Sequence, residues 1–207
     1  MGFYSRRILP RLIDLLMSNP AMHAERALLL RNAHGKTLEV GFGTGLNMPH
    51  YPAGTQTLAA IDANPGMSPL ARRRIRESGI RVEHRVLNVE RLPMEDASFD
   101  TVVSTWTLCS IADVERALAE VRRVLKPGGR FLFIEHGLSD DPRVSKWQHR
   151  LTPLQKRIAD GCHLDRDIEG LIRAQGLEFE SLRRFYMDKL PRTGGYTYQG
   201  IAVKRNA

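Results

Sequence analysis

Three glycines on alternate positions, Gly41-Phe42-Gly43-Thr44-Gly45, follow directly on a short β-leaning run, Thr37–Val40. Glycine takes left-handed backbone angles without strain and leaves space for a ligand against the main chain. A second apolar run, Leu58–Ile61, ends on Asp62. In a doubly wound sheet a carboxylate about 20 residues beyond the first glycine stands at the tip of the second strand, where it accepts hydrogen bonds from ribose hydroxyls. Loop and carboxylate together require an α/β sheet and point to an adenosine-containing ligand.

The rest of the chain is consistent with that frame. Residues 1–31 read as a helical cap: Pro10 opens an amphipathic helix, and a second helix runs from after Pro20 through Leu30. Met67–Ser78 is a charged helix stopped by Gly79, and Ile80–Val86, Thr101–Ser104 and Arg130–Ile134 are strand-like. Asp113 caps a helix running to Leu125, with Pro127-Gly128-Gly129 as its stop. Strands alternating with helices of this length imply right-handed crossovers and a mostly parallel sheet. Leu177–Tyr186 and Thr197–Val203 form an antiparallel pair at the sheet edge. The fold class expected is α/β, Rossmann-like and doubly wound: a mostly parallel seven-stranded sheet with a C-terminal antiparallel hairpin and an N-terminal helical cap. It makes one domain over 1–207, divided into the cap (1–31), a cofactor-binding core (32–139), and an acceptor lid with the C-terminal strands (140–207).

Composition narrows the function classes. At 207 residues, 42% hydrophobic and 26% charged, the chain suits one soluble domain with a full core. The two cysteines, Cys109 and Cys162, share no paired spacing, so neither a disulfide framework nor a metal site is expected, and a reducing compartment fits best. No apolar run reaches the roughly 20 residues of a membrane span, and no signal-peptide pattern opens the chain. A cytoplasmic location follows, with peripheral membrane contact through the basic amphipathic segment 6–17. The net charge is +8, with its excess at the two ends of the chain. The one dense run, Arg72-Arg73-Arg74-Ile75-Arg76, reads as the solvated side of a helix, so no nucleic-acid partner is expected. No feature sets an oligomeric state.

The spacing of the loop selects among adenosine ligands. A dinucleotide fingerprint is G-x-G-x-x-G with a pyrophosphate on the following helix. Here the third glycine comes one residue early, and Glu39 at the loop entrance would repel a pyrophosphate while ordering the loop or attracting a cationic group. Five segments then fall in a specific order: Leu38–Gly45, Ile61-Asp62-Ala63-Asn64-Pro65, Leu87–Pro93, Phe99-Asp100-Thr101-Val102-Val103 and Glu120–Gly129. Over roughly residues 36–136 the chain resembles the class I S-adenosylmethionine-dependent methyltransferases of the ubiquinone/menaquinone-biosynthesis type. The resemblance implies S-adenosyl-L-methionine as cofactor. It would be held by Glu39, Gly41, Gly43, Thr44, Gly45 and Asn47 at the methionine and ribose end, and by Asp62 and Ala63 at the ribose. Asn88 and Val89 would meet the adenine, and Thr105 would lie near the methionine. Such families often carry Asp where this chain has Asn88, whose amide oxygen can still accept from the adenine amino group.

A narrower resemblance, carried by Leu108-Cys109-Ser110, Glu135-His136, Trp147 and Asp160-Gly161-Cys162-His163-Leu164-Asp165-Arg166, is to the methyltransferase-like thiol methyltransferases of animal membranes. It implies a small lipophilic acceptor, most simply a thiol. His136 is then the base candidate, and Trp106, Cys109, Trp147, Cys162 and Arg166 are acceptor-side residues. Cys162 and His136 also read as packing residues. The alternatives are N-methylation of phosphatidylethanolamine or another small-molecule N-, O- or C-methylation, a nicotinamide oxidoreductase, and a silent cofactor-binding module.

Overall fold

The computed structural model describes residues 14–64 and 69–205. Pro10, most of the segment 6–17 and the start expected for the Met67–Ser78 helix lie outside them. One seven-stranded sheet organises the chain, in the order β3-β2-β1-β4-β5-β7-β6. The strands are β1 Thr37–Val40, β2 Thr57–Asp62, β3 Arg81–Val86, β4 Phe99–Thr105, β5 Leu125–His136, β6 Glu178–Tyr186 and β7 Tyr196–Val203. β1 to β5 are mutually parallel, while β7 runs antiparallel between β5 and the edge strand β6.

Helices start where the sequence supplies caps. Asn19 accepts from the Met22 amide ahead of Pro20–Leu30, Asp113 accepts from the Arg116 amide ahead of Val114–Val124, and Asp141 accepts from the Arg143 amide ahead of Pro142–Ile158. One boundary differs from expectation. The Val114–Val124 helix ends before the proline-glycine pair, and β5 already begins at Leu125. Leu125 pairs with Phe99, and an irregularity in register between Phe99 and Thr101 absorbs the Gly128 left-handed turn.

The strands alternate between two apolar layers. Leu38, Val40, Phe131 and Phe133 pack with Leu118, Val121, Ile168 and Ile172 on one face. Leu58, Ala60, Val103, Leu132 and Ile134 pack with Leu29, Leu30, Met48 and Ala71 on the other. Glu39 stands between Leu38 and Val40 on β1 and is 1% exposed, so the second layer carries a carboxyl group at its carboxyl edge. The functional site grows from that edge.

Candidate active site

The loop after β1 is tied down before any ligand enters. The amides of Gly41 and Phe42 both donate to the Ile61 carbonyl at 2.9 and 3.1 Å. Gly41 has φ of 74°, and a Cβ on it would lie 2.1 Å from Thr107 Oγ1, so only glycine lets the loop pass under the turn after β4. The Gly43 amide donates to Asp62 Oδ2 at 2.7 Å, and the Asn64 amide donates to Asp62 Oδ1 at 2.8 Å. Each carboxylate oxygen keeps a further lone pair, so Asp62 orders the loop and can still accept from a diol.

Beside Asp62 opens a cleft of 420 Å³ lined by Gly41, Asp62, Ala63, Asn88, Val89 and Trp106, together with Ser110, Ile111, Ala112 and Asp160. The volume suits a small-molecule site. Asn88 forms an Asx turn, its Oδ1 accepting from the Glu90 amide at 2.9 Å and its Nδ2 donating to Glu90 Oε2 at 3.1 Å. A second cavity of 140 Å³ lies on the other side of the loop, lined by Arg26, Glu39, Gly43, Thr44, Asn47 and Thr105. Gly41, Trp106 and Thr107 line both. Trp106 is a non-glycine residue at φ 50°, a conformation that surrounding structure must hold in place.

Glu39 orders this second cavity. Its Oε1 accepts from Asn47 Nδ2 at 3.0 Å and its Oε2 from the Tyr51 hydroxyl at 2.7 Å. Asn47 Nδ2 also donates to Thr105 Oγ1 at 3.0 Å. Burial pushes the Glu39 carboxyl up to about 7, against the opposing pull of Tyr51, Asn47 and the Arg26 guanidinium. Arg26 is itself pushed down to about 10 by burial and stacks on Trp106 at 4.6 Å. The Thr44 hydroxyl turns away from the cleft, donating to Asp14 Oδ1, which also accepts from Arg74 at 2.6 Å.

Around the turn after β4 the structure brings some of the residues expected on the acceptor side together. Glu135 is buried, and its Oε1 accepts from the Ser104 hydroxyl at 2.9 Å and from the Thr107 and Leu108 amides at 3.0 and 3.1 Å. It therefore pins the turn that carries Thr107 and Cys109. Arg166 donates to the Leu108 and Ile111 carbonyls and braces the same turn. His136 Nε2 lies 3.1 Å from Cys162 Sγ, which places a basic group beside that thiol, and Cys109 joins them. The Cys162 thiol is pushed up by its hydrogen bond with Cys109 and by burial, as suits a packed thiol. Trp147 is not at either cavity: the Pro142–Ile158 helix buries Val144, Gln148 and Thr152, which leaves Trp147 54% exposed on another side. Thr107 and Arg26 line the second cavity, and Tyr51 holds Glu39, without any signal in the sequence; Asp160, from the segment that carried the narrower resemblance, lines the cleft.

The sheet order, the glycine loop under β4 and a carboxylate at the tip of β2 define a class of fold: the nucleotide-binding sheet of the methyltransferases. A family described as a methyltransferase domain matches residues 38–133. The chain is 38% identical over 142 residues to the thiol S-methyltransferase TMT1B of Rattus norvegicus, a match covering 63% of this chain and 54% of that protein. It spans little more than half the length of the first such relatives. It is 30% identical over 146 residues to the phosphatidylethanolamine N-methyltransferase of Cereibacter sphaeroides, covering 70% of each. Among solved structures, a Burkholderia thailandensis 1,6-didemethyltoxoflavin-N1-methyltransferase with bound S-adenosylhomocysteine shares the fold. It superposes with a TM-score of 0.68 over 96% of this chain and 84% of that one, at 19% identity. The chain belongs to the class I S-adenosylmethionine-dependent methyltransferases.

The residues present fit that family's cofactor, S-adenosylmethionine. Gly43 leaves the loop backbone open, Asp62 retains acceptor capacity for a diol, and the buried acid Glu39 borders the second cavity, where it could meet a cationic group.

Proposed function

We propose that the chain transfers a methyl group from S-adenosylmethionine to the sulfur of a small lipophilic thiol. The observation that carries this reading is the 38% identity to a thiol S-methyltransferase. The geometry agrees with it, since Trp106, Ile111 and Ala112 give the cleft apolar walls next to a turn braced on Glu135 and Arg166. The cofactor supplies an already activated methyl group. What remains for the protein is to hold the acceptor in line, exclude water and ease loss of the thiol proton. Asp62 and the loop glycines fix the ribose end, and Glu39, Asn47 and Thr105 form the methionine end. Asn88 and Val89 frame the adenine. His136 is the base on the acceptor side, with Cys109 and Cys162 beside it and Arg166 bracing the turn after β4.

A second reading, N-methylation of phosphatidylethanolamine, is favoured by the Cereibacter relative. Either acceptor partitions into lipid. We place the chain in the cytosol, at the membrane surface when it works: Trp147, Leu154 and Ile158 share a stripe of the Pro142–Ile158 helix by their spacing. All three are exposed, with Arg143, Lys146 and Arg150 exposed beside them.

Labelled cofactor with purified protein, offered alkyl thiols and phosphatidylethanolamine liposomes in parallel, separates the readings. Label in thioether products supports the first. Label in lipid with none in any thiol product overturns it.

A further inference from the structure

Cys109, His136 and Cys162 stand far apart in the chain. Cys109 lies in the single 3-10 turn Leu108–Ser110 after β4, His136 closes β5, and Cys162 follows the Pro142–Ile158 helix. Yet their ligand atoms all lie within 4.8 Å of one another. We propose that they form a Cys2His site for zinc or a similar thiophilic divalent cation, at the border of the cofactor cleft.

The donor set suits such an ion. In a tetrahedral zinc site, metal–sulfur bonds of about 2.3 Å and a metal–nitrogen bond of about 2.0 Å put the donor atoms roughly 3.4–3.8 Å apart. The observed separations, from 3.1 Å up to at most 4.8 Å, lie within about 1 Å of those values. His136 Nε2 already faces Cys162 Sγ at 3.1 Å, and Gln155 Nε2 donates to the same sulfur at 3.7 Å. The imidazole Nε2 makes the ring's one polar contact; Nδ1 is buried with no hydrogen-bond partner and would carry the ring proton with Nε2 on the metal. The backbone fixes the donors from both sides: the His163 amide donates to the Cys109 carbonyl at 2.9 Å, and Arg166 holds the carbonyls flanking Cys109.

The charges also close. Cys109 and Cys162 are buried, and two bare thiolates in such a place would be costly. Two thiolates, a neutral imidazole and a divalent cation sum to zero, leaving Arg166 and Glu135 to offset each other nearby. Two thiols packed on an imidazole, or a Cys109–Cys162 disulfide, are the competing states.

Three protein ligands leave a fourth position. Ser110 and Asp160, close in sequence to Cys109 and Cys162, line the cofactor cleft, and we take the fourth position to open toward it. On the thiol reading above, and resting on it, an acceptor thiol entering this position would bind as thiolate, its proton passing to solvent. His136 would then assist through the cation instead of acting as a free base.

The test is cobalt substitution on the full chain, reduced and stripped with chelator. Titration with Co2+ is expected to saturate at one equivalent, with thiolate-to-cobalt charge-transfer absorption and the intense visible bands of a tetrahedral ion. Cys109→Ser, Cys162→Ser and His136→Ala should each weaken or remove the bands, with the circular dichroism unchanged. A wild-type protein showing no stoichiometric charge-transfer band would overturn the proposal whatever the variants do, and so would a Cys109–Cys162 disulfide found by peptide mapping of protein handled without air. Adding an alkyl thiol to the cobalt protein should shift the visible bands. Unchanged bands remove thiol coordination alone, and the thiol reading itself stands or falls on the methylation assay.

Discussion

Asp62 accepts from the Gly43 amide of the glycine loop, and on the reading proposed above the same carboxylate holds the cofactor's ribose. Asp62→Ala is expected to lower the affinity for adenosylhomocysteine on the order of 100-fold or more, as the loss of charge-assisted hydrogen bonds implies, with Asp62→Asn in between. Calorimetry measures the affinity and circular dichroism checks the fold; near-normal binding by Asp62→Ala would remove the ribose assignment. Glu39 makes a second prediction, in pH. Its folded value of about 7 lies above the ordinary 4.5, so its contribution to stability is complete below the unfolded value and is lost as pH rises through about 7. The loss amounts to as much as about 3 kcal/mol. Denaturant unfolding of Glu39→Gln between pH 5 and 8 should show a flatter profile than wild type, by up to that amount. A parallel slope in both proteins would mean that Glu39 does not titrate there. Both residues were legible in the sequence because loop, strand and carboxylate form a local pattern. Tyr51, Arg26 and Thr107 were not: nothing at their own positions announces a partner on another element, and only folding brings Tyr51 to 2.7 Å from Glu39.

At the scale of elements, the bounds of the expected strands and helices could mostly be read to within a residue or two, whereas the helices Pro142–Ile158 and Ile168–Ala174, capped by Asp141 and Asp167, lie in the stretch read only as an acceptor lid. The start of β5 could not be read either. Leu125 and Lys126 continue the helical pattern of the preceding residues, and it is the pairing of Leu125 with Phe99, across the sheet, that draws them into a strand. The link into that strand pair is held by Arg123. Its guanidinium donates to the Leu92 and Met94 carbonyls at 2.9 and 2.7 Å, and to Glu120 and Asp96. Arg123→Ala should destabilise the chain by about 1–3 kcal/mol. Hydrogen exchange should speed up across residues 92–96 while the amides of β4 and β5 stay protected. Uniform loss of protection would show that the arginine supports the whole sheet and not this connection.

For the whole molecule, the sequence pattern was enough for the sheet, its parallel core and the antiparallel edge, since those follow from alternation and crossover rules. It did not show that the residues after β4, at the end of β5 and after the long helix converge, because a tertiary cluster has no spacing to read. No helix among the described residues is long and apolar enough to cross a membrane. The exposed stripe of Trp147, Leu154 and Ile158 predicts surface binding instead. Co-sedimentation with vesicles rich in anionic lipid should exceed that with neutral vesicles, fall with salt, and drop several-fold in Trp147→Ala/Leu154→Ala; equal recovery from both vesicle types would exclude a charge-assisted contact. One last contact bears on kinetics. Asp14 bridges the Thr44 hydroxyl and the Arg74 guanidinium, so the backbone at Asp14 is latched to the glycine loop proposed to hold the cofactor. Breaking that latch should shorten the residence of the spent cofactor, and stopped-flow release of adenosylhomocysteine from Asp14→Ala is expected to be faster than from wild type at little cost to the fold; if product release limits turnover, the amino-terminal segment sets the pace of the cycle.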